Sequence, residues 1–179
     1  MKKSANFLAG LMMLMIGVSA SADPALLRGT KDLSLLGSPD FTAPTGDTLN
    51  LDIGFGYFVR DNFNLRGTLQ HDVQEDIAPG DADYRATEFN LIGEYHFNLG
   101  WSTVPYVGLD LGWRRSKFGT IREDALIYGP RIGIKYFLAD NVAIDLSLSY
   151  KFAGNDVFVS DFEIENKKIS FGFGLRYMF

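Results

Sequence analysis

The sequence predicts an all-β chain, eight antiparallel strands closed into an up-and-down transmembrane barrel. Three observations carry this reading. Apolar and polar residues alternate with period two along eight segments, which is the signature of strands with two unlike faces. The connections between these segments alternate between short and long. After residue 22 no apolar run approaches the ~18 residues of a membrane-spanning helix, so any crossing of a bilayer must be made by strands.

A segment of different character comes first. Lys2 and Lys3 precede an apolar run from Phe7 to Val18, and Ala20-Ser21-Ala22 follows it. A basic start, a short apolar stretch and small residues at the end read as a secretory signal peptide over residues 1–22. The barrel domain is then expected over residues 23–179, as one domain.

A weak first strand covers roughly Lys31 to Ser38 through Leu33 and Leu35. In the second, Leu49, Leu51, Ile53, Phe55, Tyr57 and Val59 alternate with Asn50, Asp52, Gly54 and Gly56, and in the third Phe63, Leu65 and Leu69 alternate with Asn64, Arg66, Thr68 and Gln70. The fourth sets Phe89, Leu91, Tyr95 and Phe97 against Glu88, Asn90, Glu94 and His96; the fifth sets Val107, Leu109, Leu111 and Trp113 against Gly108, Asp110, Gly112 and Arg114. The sixth runs from about Leu126 to Leu138, with Tyr128, Ile132, Ile134 and Tyr136 opposite Gly129, Arg131, Gly133 and Lys135. The seventh, Val142 to Phe152, and the eighth, Lys168 to Phe179, show the cleanest alternation.

Short turns are expected at Arg60-Asp61-Asn62, around Asn98 to Thr103, and at Ala139-Asp140-Asn141. Longer polar connections fall near Pro39 to Asp47, Gln74 to Arg85, Arg115 to Asp124 and Ala153 to Asn166. Four long loops at one end and three short turns at the other place both termini on the short-turn side, the periplasmic side of an outer-membrane barrel.

The polar faces together carry Asp32, Asp52, Asp72, Glu88, Glu94, Asp110 and Asp145 with Arg66, Arg114, Arg131, Lys135, Lys151, Lys168 and Arg176, while the opposite faces are almost wholly aliphatic and aromatic. A soluble barrel would turn the apolar faces inward, and a membrane barrel the reverse. Side-chain size separates the two, because large residues fill the apolar faces whereas Gly and Ser recur on the polar ones. The interior of an eight-stranded barrel is just wide enough for side chains to fill, so small residues beside long bases describe a plugged polar lumen. Lys or Arg facing lipid at the midplane costs about 2–4 kcal/mol each, which also sends the charges inward. The expected lumenal ion network is Asp52, Arg66, Glu88, Glu94, Asp110, Arg114, Arg131, Lys135, Asp145, Lys151 and Arg176. Aromatics near strand ends, Tyr57, Phe63, Phe97, Trp101, Tyr106, Tyr136 and Phe179 by the short turns and Phe89, Trp113, Tyr128, Phe152 and Phe171 toward the loops, read as two interfacial girdles, although strand propensity alone also enriches aromatics.

These features resemble the small outer-membrane β-barrel family that includes the OmpA-like and OmpX-like transmembrane domains, over nearly all of Lys31 to Phe179. The most specific part is Phe171-Gly-Phe-Gly-Leu-Arg-Tyr-Met-Phe179, which is similar to the family's terminal strand. The resemblance implies that Tyr177 and Phe179 form the C-terminal signal read by the barrel assembly machinery. Gly54-Phe-Gly-Tyr-Phe-Val-Arg-Asp-Asn-Phe resembles the hairpin around the family's first periplasmic turn. OmpA-like members of the family often continue into a periplasmic peptidoglycan-binding domain, whereas this sequence stops at its last strand, so a peptidoglycan anchor is not implied.

Without the signal, 15 of the 17 Lys and Arg remain against 22 Asp and Glu, a formal charge of −7, which argues against nucleic acid as a partner. There is no cysteine, so disulfides and thiolate chemistry are excluded. Of the two histidines, parity places His71 on the lipid face near the loop end and His96 inside near the periplasmic end, too far apart to share a metal. No serine stands near Gln70-His71-Asp72-Val73, no catalytic site is visible, and no cofactor or metal is expected. The loop acids Glu75, Asp76, Asp81, Asp83, Asp156, Asp161, Glu163 and Glu165 read as solvated.

The expectation is a monomeric outer-membrane protein of a Gram-negative cell, in contact with the lipid bilayer and lipopolysaccharide, with a structural or surface-interaction role in envelope integrity or adhesion. A narrow porin-like channel and a lipid-modifying enzyme are the alternatives.

Overall fold

The computed structural model describes residues 24, 26–37, 48–74, 84–118, 121–160 and 163–179. The expected signal peptide, the first long connection and most of the second lie outside the described residues. Eight long strands form the wall: β1 (Lys31–Gly37), β2 (Thr48–Arg60), β3 (Phe63–Gln74), β4 (Tyr84–His96), β5 (Thr103–Phe118), β6 (Ile121–Ala139), β7 (Val142–Ala153) and, after a small hairpin, β10 (Lys167–Met178). The hairpin is β8 (Phe158–Ser160) with β9 (Glu163–Glu165).

Each wall strand pairs antiparallel with its neighbour in sequence, and β1 closes on β10 to complete the barrel. The closing register sets Leu33 against Tyr177 and Leu35 against Leu175, apolar to apolar, and Ser34 against Arg176. Because the side-chain period is two, that register sends one set of residues inward along the whole seam. A slip of one residue would put Arg176 in lipid.

The turns have local causes. Between β2 and β3, Asn62 lies in the left-handed region at φ 63°, which asparagine tolerates better than most residues. The β2–β3 register shifts between Phe58 and Arg60 as the chain enters this turn. In the next turn Gly100 has φ 74°, and its N–H donates to Asn98 Oδ1 at 3.1 Å.

The third long connection differs from the expectation. Residues Arg115 to Asp124 are mostly strand, with Arg115 opposite Asp124 and Phe118 opposite Ile121. Polar composition suggested a loop, but a hairpin extending past the membrane can keep its ladder in water. Here Arg115 Nε donates to Asp124 Oδ1 at 2.8 Å across the pair. This contact holds the exposed Asp124 carboxyl below its ordinary range.

Outward-facing residues such as Leu35, Phe55, Leu91, Leu111 and Leu175 are exposed, while the alternate positions are buried. One girdle assignment is corrected. Tyr106 is not interfacial but buried in the lumen, its O–H donating to Asp145 Oδ1 at 2.8 Å. It shares parity with Gly108 and Asp110, and that parity, not its nearness to a strand end, decides where the ring lies. Ile92 and Leu36 are the converse, apolar residues buried on otherwise polar faces.

Gly129 shows why small residues recur inside. A Cβ there would collide with the backbone carbonyl of Tyr150 and crowd the backbone of Lys151. Neither can yield without bending β7, so Gly129→Ala should cost about 1–3 kcal/mol as an overpacking change, read as a lower unfolding midpoint in detergent. An unchanged midpoint would remove the close-approach argument.

Candidate functional site

The lumen is built in layers. At the short-turn end, Leu26, Phe58, Val104, Phe137, Ala143 and Met178 form a fully buried apolar cluster. Leu26 reaches it from the segment before β1, which is tied across the mouth: Asn62 N–H donates to the Leu26 carbonyl and Gly29 N–H to the Phe58 carbonyl, both at 2.8 Å, and Arg28 N–H donates to Asp61 Oδ1 at 2.7 Å. The sequence held no periodic signal for this seal, because Leu26 precedes the first strand.

Above it lies an inner charge cluster centred on Glu94. Its carboxylate is met by Arg66 at 3.0 Å, Lys135 at 3.1 Å and Arg176 at 2.8 Å, all from different strands. Arg176 also reaches Asp32 at 3.3 Å and pairs through Nε with Asp145. Asn64 donates to Asp32, and Lys135 contacts His96 Nε2. The other imidazole nitrogen of His96 faces the Asn62 carbonyl at 3.2 Å, so an Nδ1–H donating there leaves Nε2 to accept from Lys135. Three bases meet three carboxylates, every side chain buried.

An outer cluster occupies the loop half. Arg114 donates to Glu88 and to Asp72, each at 2.7 Å, and Lys151 pairs with Glu88. Arg131 forms a fork with Asp110, at 2.9 Å from Nε and 2.7 Å from Nη2, and donates to Ser147 at 3.3 Å. Gln70 donates to Asp72 and Asn90 to Glu88, both at 2.8 Å. On the β5–β6 side Ala125, Ile127, Val157 and Phe158 form a second buried apolar layer, and the Arg114 guanidinium lies 5.1 Å from the Phe158 ring centre. Val157 and Phe158 belong to the last long connection, whose inward fold the composition did not reveal.

Of the eleven lumenal residues expected from sequence, the structure brings ten into these two clusters. Asp52 lines a cavity of the outer half together with Arg131 and Lys151, and its Oδ1 is buried with no hydrogen-bond partner. Lys168 sits higher, at the loop end of β10, and is partly exposed. At the other end Phe179 remains in the ladder, exchanging backbone hydrogen bonds with Lys31 at 2.8 and 2.9 Å. The Tyr177 and Phe179 rings stack at 5.8 Å on the outer wall.

Chemically these clusters neutralise one another and tie distant strands together. Among the described residues no group of His, Cys, Asp and Glu is placed to hold a metal ion. His71 is exposed on the outer face of β3, with Nδ1 3.1 Å from the Thr87 hydroxyl. This is a hydroxyl beside a base, but no hydrogen bond from the ring to a described carboxylate orients it.

A family model described as outer membrane protein beta-barrel domain matches residues 7–179. The chain belongs to that family. Among solved structures, this family member resembles the N-terminal β-barrel domain of OprF from Pseudomonas aeruginosa, with TM-score 0.60 and 18% identity over 85% of this chain and 98% of that one. It resembles Neisserial surface protein A with TM-score 0.56 and 18% identity, over 84% and 95% of the two chains. The attachment invasion locus protein Ail of Yersinia pestis aligns with TM-score 0.54 and 13% identity, over 86% of this chain and all (100%) of that one. At these identities the likeness is one of fold. No curated protein sequence matches. As an outer-membrane β-barrel, the chain sets its exposed apolar wall against the lipid bilayer.

Proposed function

We propose that this barrel is a non-conducting outer-membrane protein with a structural or surface-interaction role, serving envelope integrity or adhesion. The observation that carries the reading is the layered lumen: an apolar seal around Leu26, an inner cluster on Glu94, an outer cluster on Glu88 and Asp110, and the Phe158 layer. A lumen filled in this way acts as a plug, and the wall then serves to hold loops outside the cell. An adhesive role takes support from a neighbour of the same fold named for attachment and invasion, and another named a surface protein.

In this reading residues 1–22 are removed on export, Tyr177 and Phe179 are read by the barrel assembly machinery, and the mature monomer sits among lipopolysaccharide in the outer leaflet. Among the described residues no carboxylate orients the His71–Thr87 pair, which supports a role without catalysis. Planar-bilayer recording of the folded protein tests the plug. The expected result is no steady conductance; steady channels that change on substituting Arg131 or Asp110 would establish a narrow pore in its place.

A further inference from the structure

The outer wall carries a pattern of its own at the loop end. Across β3, β4, β5 and β6 the registers align outward-facing residues into rows that run around the barrel. One row is Leu69, Phe89, Trp113 and Leu126, all exposed and apolar. Two residues farther toward the loops the row is His71, Thr87, Arg115 and Asp124, and two farther again it is Val73, Arg85, Lys117 and Arg122. The same face passes from apolar, through a mixed row, to three bases side by side on adjacent strands.

Like charges directly opposite one another in a sheet repel, with Cβ atoms only about 5 Å apart. Lys117 has Arg85 on one side and Arg122 on the other. Of the described acids on this hairpin, Asp124 is taken by Arg115 at 2.8 Å, and Glu123 has the inward parity of the buried Ala125 and Ile127. Asp81 and Asp83 belong to the connection ahead of β4, outside the described residues. The chain as a whole is acidic, 22 Asp and Glu against 17 Lys and Arg, so overall charge does not account for three bases gathered in one row. An anion outside the row would relieve their repulsion.

Depth selects the anion. From Trp113 to Lys117 the strand advances about 13 Å, which at a tilt of about 40° is roughly 10 Å along the membrane normal. The headgroup layer is about 5–7 Å thick on each side of the hydrocarbon. With the Phe89–Trp113 row at the hydrocarbon boundary, the bases stand at the outer side of that layer, and their long side chains reach its phosphates. We propose that this face binds the phosphate groups of an outer-leaflet glycolipid, lipopolysaccharide, through Arg85, Lys117 and Arg122, with the Phe89–Trp113 row against its acyl chains. A row across three strands spans about 10 Å, which suits a headgroup with more than one phosphate. The site rests on the proposed placement of the loops outside the cell. Asn155→Cys supplies the one cysteine of the chain, and its labelling on intact cells by an impermeant reagent tests that placement apart from lipid binding.

The full mature chain is folded in neutral detergent with a chelator, so that divalent ions do not bridge phosphates. It is melted against increasing fractions of lipopolysaccharide, dephosphorylated lipopolysaccharide, phosphatidylglycerol or inorganic phosphate. The midpoint should rise with the logarithm of the lipopolysaccharide fraction, rise less with phosphatidylglycerol, and stay level with the other two. Lys117→Gln with Arg122→Gln should weaken the apparent affinity about 25-fold, about fivefold for each base near an anionic surface. Should that double variant fail to fold, Arg85→Gln alone should give the fivefold loss. Lys167→Gln, an exposed base on β10 outside the row, should leave the response intact. An equal loss in the Lys167 variant would reduce the effect to general charge attraction and overturn the proposal. So would a parent protein indifferent to lipid phosphate, or one whose row takes a soluble sulfated polysaccharide equally well.

Discussion

Replacing Glu94 with glutamine should lower the unfolding free energy by about 3–5 kcal/mol, the largest loss expected from any single lumenal change. Glutamine keeps the shape but removes the charge that Arg66, Lys135 and Arg176 share within 3.1 Å. The amide would also present N–H donors toward three cations. Buried charges left without a counter-charge are costly because their hydration was given up on insertion. Total stabilities are about 5–15 kcal/mol, so such a loss should be plain in a urea titration in lipid vesicles. Adding Lys135→Met to Glu94→Gln should recover part of it, since one of the stranded cations goes. A single-variant loss below about 1 kcal/mol would show that the inner cluster contributes packing rather than charge pairing. The exposed Arg115–Asp124 pair makes the contrast, because solvent screens it and its removal should leave the titration unchanged.

Placing arginine at Leu109 should cost about 2–4 kcal/mol in the same vesicles. Leu109 is 70% exposed on the outer wall, in mid-strand between Tyr106 and Trp113, and its neighbour Asp110 is buried and paired with Arg131. The guanidinium would have no lumenal partner and would have to bend toward an interface, thinning the bilayer around it. Leu126→Arg, opposite Trp113 and nearer the loop end, should cost much less, since the penalty falls toward the interface. Equal tolerance at both positions would contradict the assignment of this face to lipid.

Much of the architecture was legible because a strand in a membrane barrel has only two environments. Alternation around Leu109 and Asp110, or Leu175 and Arg176, told which residue faces lipid and which the lumen, and the structure keeps that parity, Tyr106 included. Local rules also placed the turns at Asp61-Asn62 and Asp140-Asn141. They failed at Arg115 to Asp124, where a polar hairpin continues its ladder beyond the apolar band. They were silent at Leu26 and Phe158, where aperiodic segments fold across the ends of the lumen.

By itself, the order of residues determined strand parity, the inward placement of charge and the family to which the chain belongs. Which base meets which acid was decided only by closure. Glu94 and Arg176 are 82 residues apart and meet because the wall curves until β4 and β10 face each other across the axis. That distance depends on the register of every intervening pair, and no local pattern encodes it. The same closure leaves Asp52 Oδ1 buried with no hydrogen-bond partner, since only the closed cylinder fixes which side chains can touch.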